Sequence, residues 1–281
     1  MLGIDNVTCL KTLDLGNLLV NRKNIYNLKI TFLGTGTSQG VPVIACECEV
    51  CKSLDTKDKR LRSSVMIESQ GNVIVIDTGP DFREQMLREK VKHLDAVLLT
   101  HAHKDHVAGL DDVRAFNYIQ KKAIDLYALD DVNIAIRNEF SYAFAIYKYP
   151  GVPEINLHSI ENKPFSINHI EVLPIEVMHF GLKILGYRIG DFTYITDANF
   201  ISEHELEKVK GSKVVVLNAL RKKKHVSHFS LNEAVAVLER IQPERAYLTH
   251  VSHMMGFHEE VQKELPSFIK FAYDGLSIEI Y

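Results

Sequence analysis

The chain has 281 residues, 46% of them hydrophobic and 25% charged, with a formal net charge of −3. That content supports a substantial globular core, gives no general basic field for gripping a nucleic-acid backbone or an anionic membrane, and includes no apolar run of bilayer length. The start lacks a secretory-signal pattern, so a cytoplasmic location is expected, and the bunching of Cys46, Cys48 and Cys51 away from Cys9 is not a disulfide framework.

Residues 1–27 hold Leu-rich pieces broken by Asn and Gly and read as an N-terminal extension to a single domain over 28–281. The first convincing strand is 28–33, and strands 64–68 and 73–76 flank a turn-rich 69–72 suited to a hairpin. A helix with an acidic first turn follows over 81–90, where Asp81 reads as the N-cap. The apolar run 96–99 then enters Thr100-His101-Ala102-His103-Lys104-Asp105-His106.

Imidazoles and a carboxylate gathered at a strand end are ligands for zinc, manganese or iron, and without a cation they would be poorly paired. An exposed His-rich turn is the plainer alternative, but a solvated loop has no need of this alternation of ligand types. His101 and His103 fall on one side of an extended turn while Asp105 and His106 point elsewhere, so each pair can serve a separate ion.

Beyond the cluster, 109–120 and 131–145 have helical apolar spacing around a short strand at 125–129. Tyr142, Phe144, Tyr147 and Tyr149 read as hydrophobic packing rather than a base-stacking surface, in an insertion over 130–153 able to reshape a pocket. Strands follow at 170–173, 175–177, 185–189 and 193–195, then a buried strand at 213–217. A helix over 230–241 is opened by Ser230 with Glu233 three residues on, before a strand at 245–248, a helix at 259–263 and a strand at 276–280. Strands in two sets, each followed by helices, predict two sheets face to face with helices outside. His179, Asp197 and His250 each end an apolar strand and join the list of candidate ligands.

With the H-x-H-x-D-H run at 101–106, these residues resemble the metallo-β-lactamase superfamily from residue 28 onward. The resemblance implies an α/β fold, the αββα four-layer sandwich. It assigns His101, His103 and His179 to one divalent cation and Asp105, His106 and His250 to another, with Asp197 bridging and Asp77 holding ligand imidazoles in the correct tautomer. Two cations about 3.5–4 Å apart hold a hydroxide and clamp an oxyanion, which suits in-line attack on a phosphodiester. Manganese, zinc and iron all fit the ligand set, and the oligomeric state stays open, a homodimer included.

Cys46, Cys48 and Cys51 follow a glycine-rich turn at 34–40, and three thiolates need a fourth ligand for a closed tetrahedral zinc site, which His253 is placed to supply. A redox thiol pair or plain burial are the alternatives; Cys9 reads as a buried thiol. This combination resembles the PhnP-like branch of cyclic-phosphate phosphodiesterases, relatives of ribonuclease Z, and implies one structural zinc. The same resemblance makes His228 a catalytic residue alongside Asp105, as the general acid, with His225 its competitor. Surface or packing roles suffice for His93, His158, His169, His204 and His258.

The leading expectation is a dinuclear metal-dependent phosphodiesterase acting on a small cyclic phosphate or nucleotide-like substrate. Ribonuclease Z-like tRNA 3′ processing shares the ligands, but the chain shows no long Gly/Pro-rich basic arm and its net charge is slightly negative. The run 221–224, Arg-Lys-Lys-Lys, reads either as a solvated loop or as a phosphate-capturing one. A catalytically silent metal-binding scaffold or sensor should show missing ligands, and none is missing. Thioester or lactam hydrolysis also runs on this fold, since fold alone does not fix function.

Overall fold

The computed structural model describes residues 27–281, so the expected extension, Cys9 included, lies outside the described residues apart from Asn27. Among the described residues fourteen strands build two seven-stranded sheets. The first contains β1 (Leu28–Gly34), β2 (Ser64–Ser69), β3 (Asn72–Ile76), β4 (Ala96–Leu98), β5 (Ile124–Ala128), β6 (Ile155–Ser159) and β14 (Ser277–Ile280), in the order β14-β1-β2-β3-β4-β5-β6. The second contains β7 (Phe165–Ile167), β8 (Ile170–His179), β9 (Leu182–Ile189), β10 (Phe192–Ile195), β11 (Val214–Asn218), β12 (Arg245–Thr249) and β13 (Ile269–Phe271), running from β13 at one edge to β7 at the other.

Each sheet is antiparallel where hairpins join neighbouring strands and parallel where helices cross over: β2 and β3 pair antiparallel, β3 to β6 parallel, β8 to β10 antiparallel and β10 to β13 parallel. Alternation along the strands produces three apolar layers. Ile30, Phe32, Ile67 and Ile76 of the first sheet meet Tyr187, Phe192, Tyr194 and Val216 of the second in the central one. The outer face of the first sheet packs on Phe82, Phe116, Val132 and Ile136, and that of the second on Leu206, Leu231, Leu238 and Val261. Helices on both outer faces of two stacked sheets make the expected αββα sandwich. Among the described residues no helix is long and apolar enough to cross a membrane.

Several elements depart from the sequence pattern for local reasons. The two strands expected on either side of Pro174 are one ten-residue strand, β8. Its β7 partner ends opposite Val172, and at Pro174 β8 pairs with β9 alone, so the proline, which has no N–H, stands where one side of the strand has no ladder to complete. The freed N–H of Glu176 is taken up by the Glu205 carboxylate at 2.8 Å. Glu205 belongs to Glu203–Val209, a helix the apolar spacing did not disclose, capped by Ser202. The helix expected over 109–120 splits into a 3-10 turn, Leu110–Val113, and an α-helix, Arg114–Gln120, and that expected over 131–145 ends at Glu139.

Asp81 corrects one expectation. It occupies the N-cap position of the helix Phe82–Arg88, but its side chain makes no cap hydrogen bond. The carboxylate accepts instead from the Arg62 N–H at 2.7 Å and from the Arg62 guanidinium at 3.0 Å, the second an ion pair that a cap bond to its own helix would not supply.

Candidate functional site

Strand ends on one edge of the sandwich deliver the site residues: β3 leads into Asp77, β4 into His101, β8 ends on His179, β10 leads into Asp197 and β12 into His250. Asp77, Asp197 and His250 all have positive φ, at 64°, 59° and 56°. Left-handed backbone costs a non-glycine residue about 1–3 kcal/mol, and here it turns each chain sharply at its strand end. His103 is the N-cap of the short helix Lys104–Val107, so His101 and His103 lie on extended chain and Asp105 and His106 on a helical turn. The single extended turn expected from the sequence is thus two conformations, which is what aims the two pairs at different places.

The donors gather in three overlapping groups. Ligand-type atoms of His101, His103 and His179 form one group within 4.8 Å, those of Asp105, His106, Asp197 and His250 another, and those of His179, Asp197 and His228 a third. Asp197 is therefore common to both sides. Its Oδ1 lies 3.2 Å from His250 Nε2 and 3.0 Å from His228 Nε2, while Oδ2 lies 3.2 Å from His106 Nε2.

Hydrogen bonds behind the imidazoles decide which ring nitrogen carries the proton. His106 Nδ1 faces Asp77 Oδ2 at 2.7 Å. The Thr100 hydroxyl donates to both Asp77 oxygens, at 2.9 and 3.1 Å, and so accepts from His101 Nδ1 at 2.9 Å. His179 Nδ1 sits between the carbonyls of Asp197 and Ser227 at 2.7 and 2.8 Å, where only an N–H satisfies both. In all three the Nε2 lone pair is left facing the cavity, the tautomer a ligand needs. Asp77 thus sets two imidazoles, one directly and one through Thr100.

Electrostatics favour cations here. Burial holds His101 and His103 below the usual histidine range and takes His250 down to about 4, so these rings stay neutral and ligand-competent. Burial also pulls His106 down, but the carboxylates of Asp197, Asp77 and Asp105 outweigh it and push this ring well up. Asp105 and Asp197 are held low despite their burial, the first by His106 and the second by His250 and His106. Three carboxylates around one buried imidazole attract positive charge, whether a proton or a metal ion. His106 Nε2 lies 3.1 Å from Asp105 Oδ2 yet has no partner in hydrogen-bond geometry, a buried nitrogen that a cation would satisfy.

Cys46, Cys48 and Cys51 are unpaired thiols whose sulfurs lie 3.3, 3.3 and 3.5 Å from His253 Nδ1. Tetrahedral zinc–sulfur and zinc–nitrogen bonds place such ligands about 3.5 Å apart, so the residues fit a closed site. The Cys51 N–H facing Cys48 Sγ brings that thiol down to about 6, while burial raises Cys51 to about 11. A metal would offset that second cost.

His228 and His225 separate clearly. His228 Nε2 reaches Asp197 and its ring stacks on His250 at 4.9 Å, whereas His225 lies behind it, with Nδ1 3.3 Å from His228 Nδ1. The basic run at 221–224 is largely spent on structure: Arg221 bonds the carbonyls of Lys223 and Lys224 at 3.2 and 3.1 Å, and Lys222 pairs with Glu264. His93, His158, His204 and His258 pair locally, away from the donor groups.

Sequence reasoning missed Thr100, whose place beside His101 was its only signal, and Ser227, whose carbonyl fixes His179. It also missed Asn218, whose side chain clamps both backbone groups of Ala198, next to Asp197, at 2.8 and 2.9 Å. Thr37, in the glycine-rich turn, puts its hydroxyl 3.3 Å from His250 Nε2.

Residues 72–251 match the family described as the beta-lactamase superfamily domain. A crystal structure of a diphosphatase from the PhnP family superposes with a TM-score of 0.85 at 38% identity, over 90% of this chain and 98% of that one. A protein named octanoyltransferase from Porphyromonas gingivalis is 40% identical over 89% of this chain, and a ribonuclease Z from Nostoc sp. is 25% identical over 58%. The chain spans only about half the length of these curated relatives, 51% and 47%. Zinc-bound PqqB from Methylobacterium extorquens shares the fold at a TM-score of 0.75 and 19% identity. The chain belongs to the β-lactamase superfamily, in its PhnP-like branch.

Proposed function

We propose that the protein is a metal-dependent phosphodiesterase acting on a small phosphoryl substrate, cyclic or nucleotide-like. The observation that carries this reading is the buried, unpartnered Nε2 of His106, set against the carboxylates of Asp105 and Asp197 with neutral imidazoles on either side. In this reading His101, His103 and His179 would hold one divalent ion and Asp105, His106 and His250 a second, with the Asp197 carboxylate available to either. Cys46, Cys48, Cys51 and His253 would hold a structural zinc. A bound pair of divalent cations activates water and neutralises phosphoryl charge.

The remaining steps belong to the protein. Asp77 and Thr100 keep His106 and His101 in the ligand tautomer, and the Ser227 carbonyl does the same for His179. His228, with 12% of its side chain exposed, stands at the margin of the site and gives its proton to the departing alkoxide. Acyl transfer, the chemistry named for the P. gingivalis relative, finds less support: the described cysteines gather with His253 and leave no free thiol nucleophile among the site residues.

The test is hydrolysis of bis(p-nitrophenyl) phosphate by the manganese- or zinc-loaded protein. Turnover is expected, with loss on chelation and on His103→Ala. A metal-loaded protein that never cleaves the diester, or a His103→Ala variant with undiminished turnover, refutes the reading.

A further inference from the structure

Three loops of the second sheet each carry a site residue and, within three positions of it, an exposed apolar side chain: His179 with Phe180, Asp197 with Phe200, and His228 with Val226. These residues are 70%, 56% and 69% exposed. Isolated exposed hydrophobics are ordinary, but a cluster beside a polar centre marks a binding surface. Asn199 holds the three loops in one group. Its Oδ1 accepts from the Phe180 N–H at 2.8 Å, its Nδ2 donates to the Val226 carbonyl at 3.1 Å, and its own N–H donates to Met178 O at 2.8 Å. Met178 in turn bridges to Phe200, its N–H bonding the Phe200 carbonyl at 2.9 Å.

Charge argues in the same direction. Around the site Lys104 is paired with Glu139, Lys222 with Glu264, Lys224 with Glu233, and the Arg221 guanidinium with the carbonyls of its own loop, so that of the run 221–224 only Lys223 is without a side-chain partner among the described residues. A polyanionic nucleic-acid strand needs unpaired cations along its path. This margin instead offers two phenyl rings and an isopropyl group, whose natural partner is a flat aromatic ring.

We propose that Phe180, Phe200 and Val226 form a subsite for an aromatic ring, of nucleobase type, attached to the phosphoryl group of the substrate. The inference rests on the phosphoryl-binding reading above and adds the class of group beside the phosphorus. Phe180 and Phe200 are its specificity-determining residues; they coordinate nothing and sit outside the ligand sets.

The test compares the phenyl, cyclohexyl and methyl p-nitrophenyl phosphate diesters, which share one leaving group, on the metal-loaded protein and its Phe180→Ala and Phe200→Ala variants. Intrinsic reactivity cancels when the phenyl-to-methyl ratio of kcat/KM is compared between proteins. That ratio is expected to fall roughly three- to tenfold in each variant. An unchanged ratio in both variants overturns the subsite, and equal preference for cyclohexyl and phenyl overturns its aromatic character. Binding of phenylphosphonate and methylphosphonate, measured by calorimetry, separates the two proposals. Tighter binding of the phenyl compound that Phe180→Ala abolishes supports the subsite even in a protein that cleaves no diester; equal binding of the two phosphonates refutes it, whatever the turnover.

Discussion

Asp77 Oδ2 and His106 Nδ1 are 2.7 Å apart, and both side chains are wholly excluded from solvent. An isolated buried carboxylate is costly, and burial pushes Asp77 upward, with His106 the main opposing influence. The pair persists because each satisfies the other, and the outcome is an imidazole locked with its second nitrogen toward the cavity. Asp77→Asn weakens that lock while keeping the shape. Metal affinity at the paired site is expected to fall about 10–100-fold, measured by competitive chelator titration, with the zinc of the cysteine cluster retained.

His228→Ala is expected to lower kcat by about 10²–10⁴-fold without changing metal content. His225→Ala should cost far less, since His225 contacts His228 and not Asp197. Steady-state kinetics on both variants decide the matter; equal losses would mean that the two rings act as one unit.

Gly79 lies under the turn that carries Asp105. A Cβ at this position would stand 2.1 Å from the Asp105 carbonyl oxygen, a backbone atom with no freedom to give way. Gly79→Ala should therefore displace the Lys104–Val107 helix and its ligands, destabilising the protein by about 1–3 kcal/mol. Binding of the second ion should weaken more than that of the first, as read by metal stoichiometry alongside melting.

Cys48→Ala opens the thiolate cluster. Bound zinc should drop by one ion per chain and Tm by roughly 5–10 °C, with the two ions of the other site still retained. Elemental analysis and calorimetry check both parts, and unaltered zinc content and melting would remove the structural site from the account.

Asp274, which belongs to neither candidate ligand set, supplies a pH prediction. Burial raises its carboxyl to about 6, against the hydrogen bonds from the Leu61 N–H and the Thr35 hydroxyl. A folded-state pKa above the unfolded value means that the native state binds more protons between about pH 4 and 6. Its contribution is therefore fully present below about pH 4 and lost as pH rises through 6, a change on the order of 2–3 kcal/mol. Burial with Arg60 nearby takes His258 down to about 4, which works in the opposite sense across the same window. The measurement is therefore the difference in denaturant stability between wild type and Asp274→Asn from pH 4 to 7. It should change steadily in favour of the variant as pH rises, and a flat difference would contradict the raised pKa.

Much of this protein is written in local sequence. The period-two strands, the Gln70-Gly71 hairpin turn, the spacing of His101, His103, Asp105 and His106, and strands ending at His179, Asp197 and His250 are short-range patterns. Strand-end residues converge because parallel and hairpin-linked strands of one sandwich share an edge, so the candidate ligands could be named before their distances were known. The cysteine triplet announced itself in the same way, although its fourth member, His253, comes from some two hundred residues away.

Tertiary structure decided what depends on partners distant in the chain. No local pattern assigns Asp81 to Arg62 rather than to its own helix, because the Arg62 N–H and guanidinium reach the carboxylate only through tertiary packing. Nor does any tell that Thr100 relays Asp77 to His101, that Asn218 clamps the backbone after Asp197, or that three strand ends take left-handed backbone. Residue types and their order along the chain determine which chemistry is available. The proton positions, the shared place of Asp197 and the apolar margin beside it arise only when packing removes water, since hydrogen bonds and charges then have few partners to choose among.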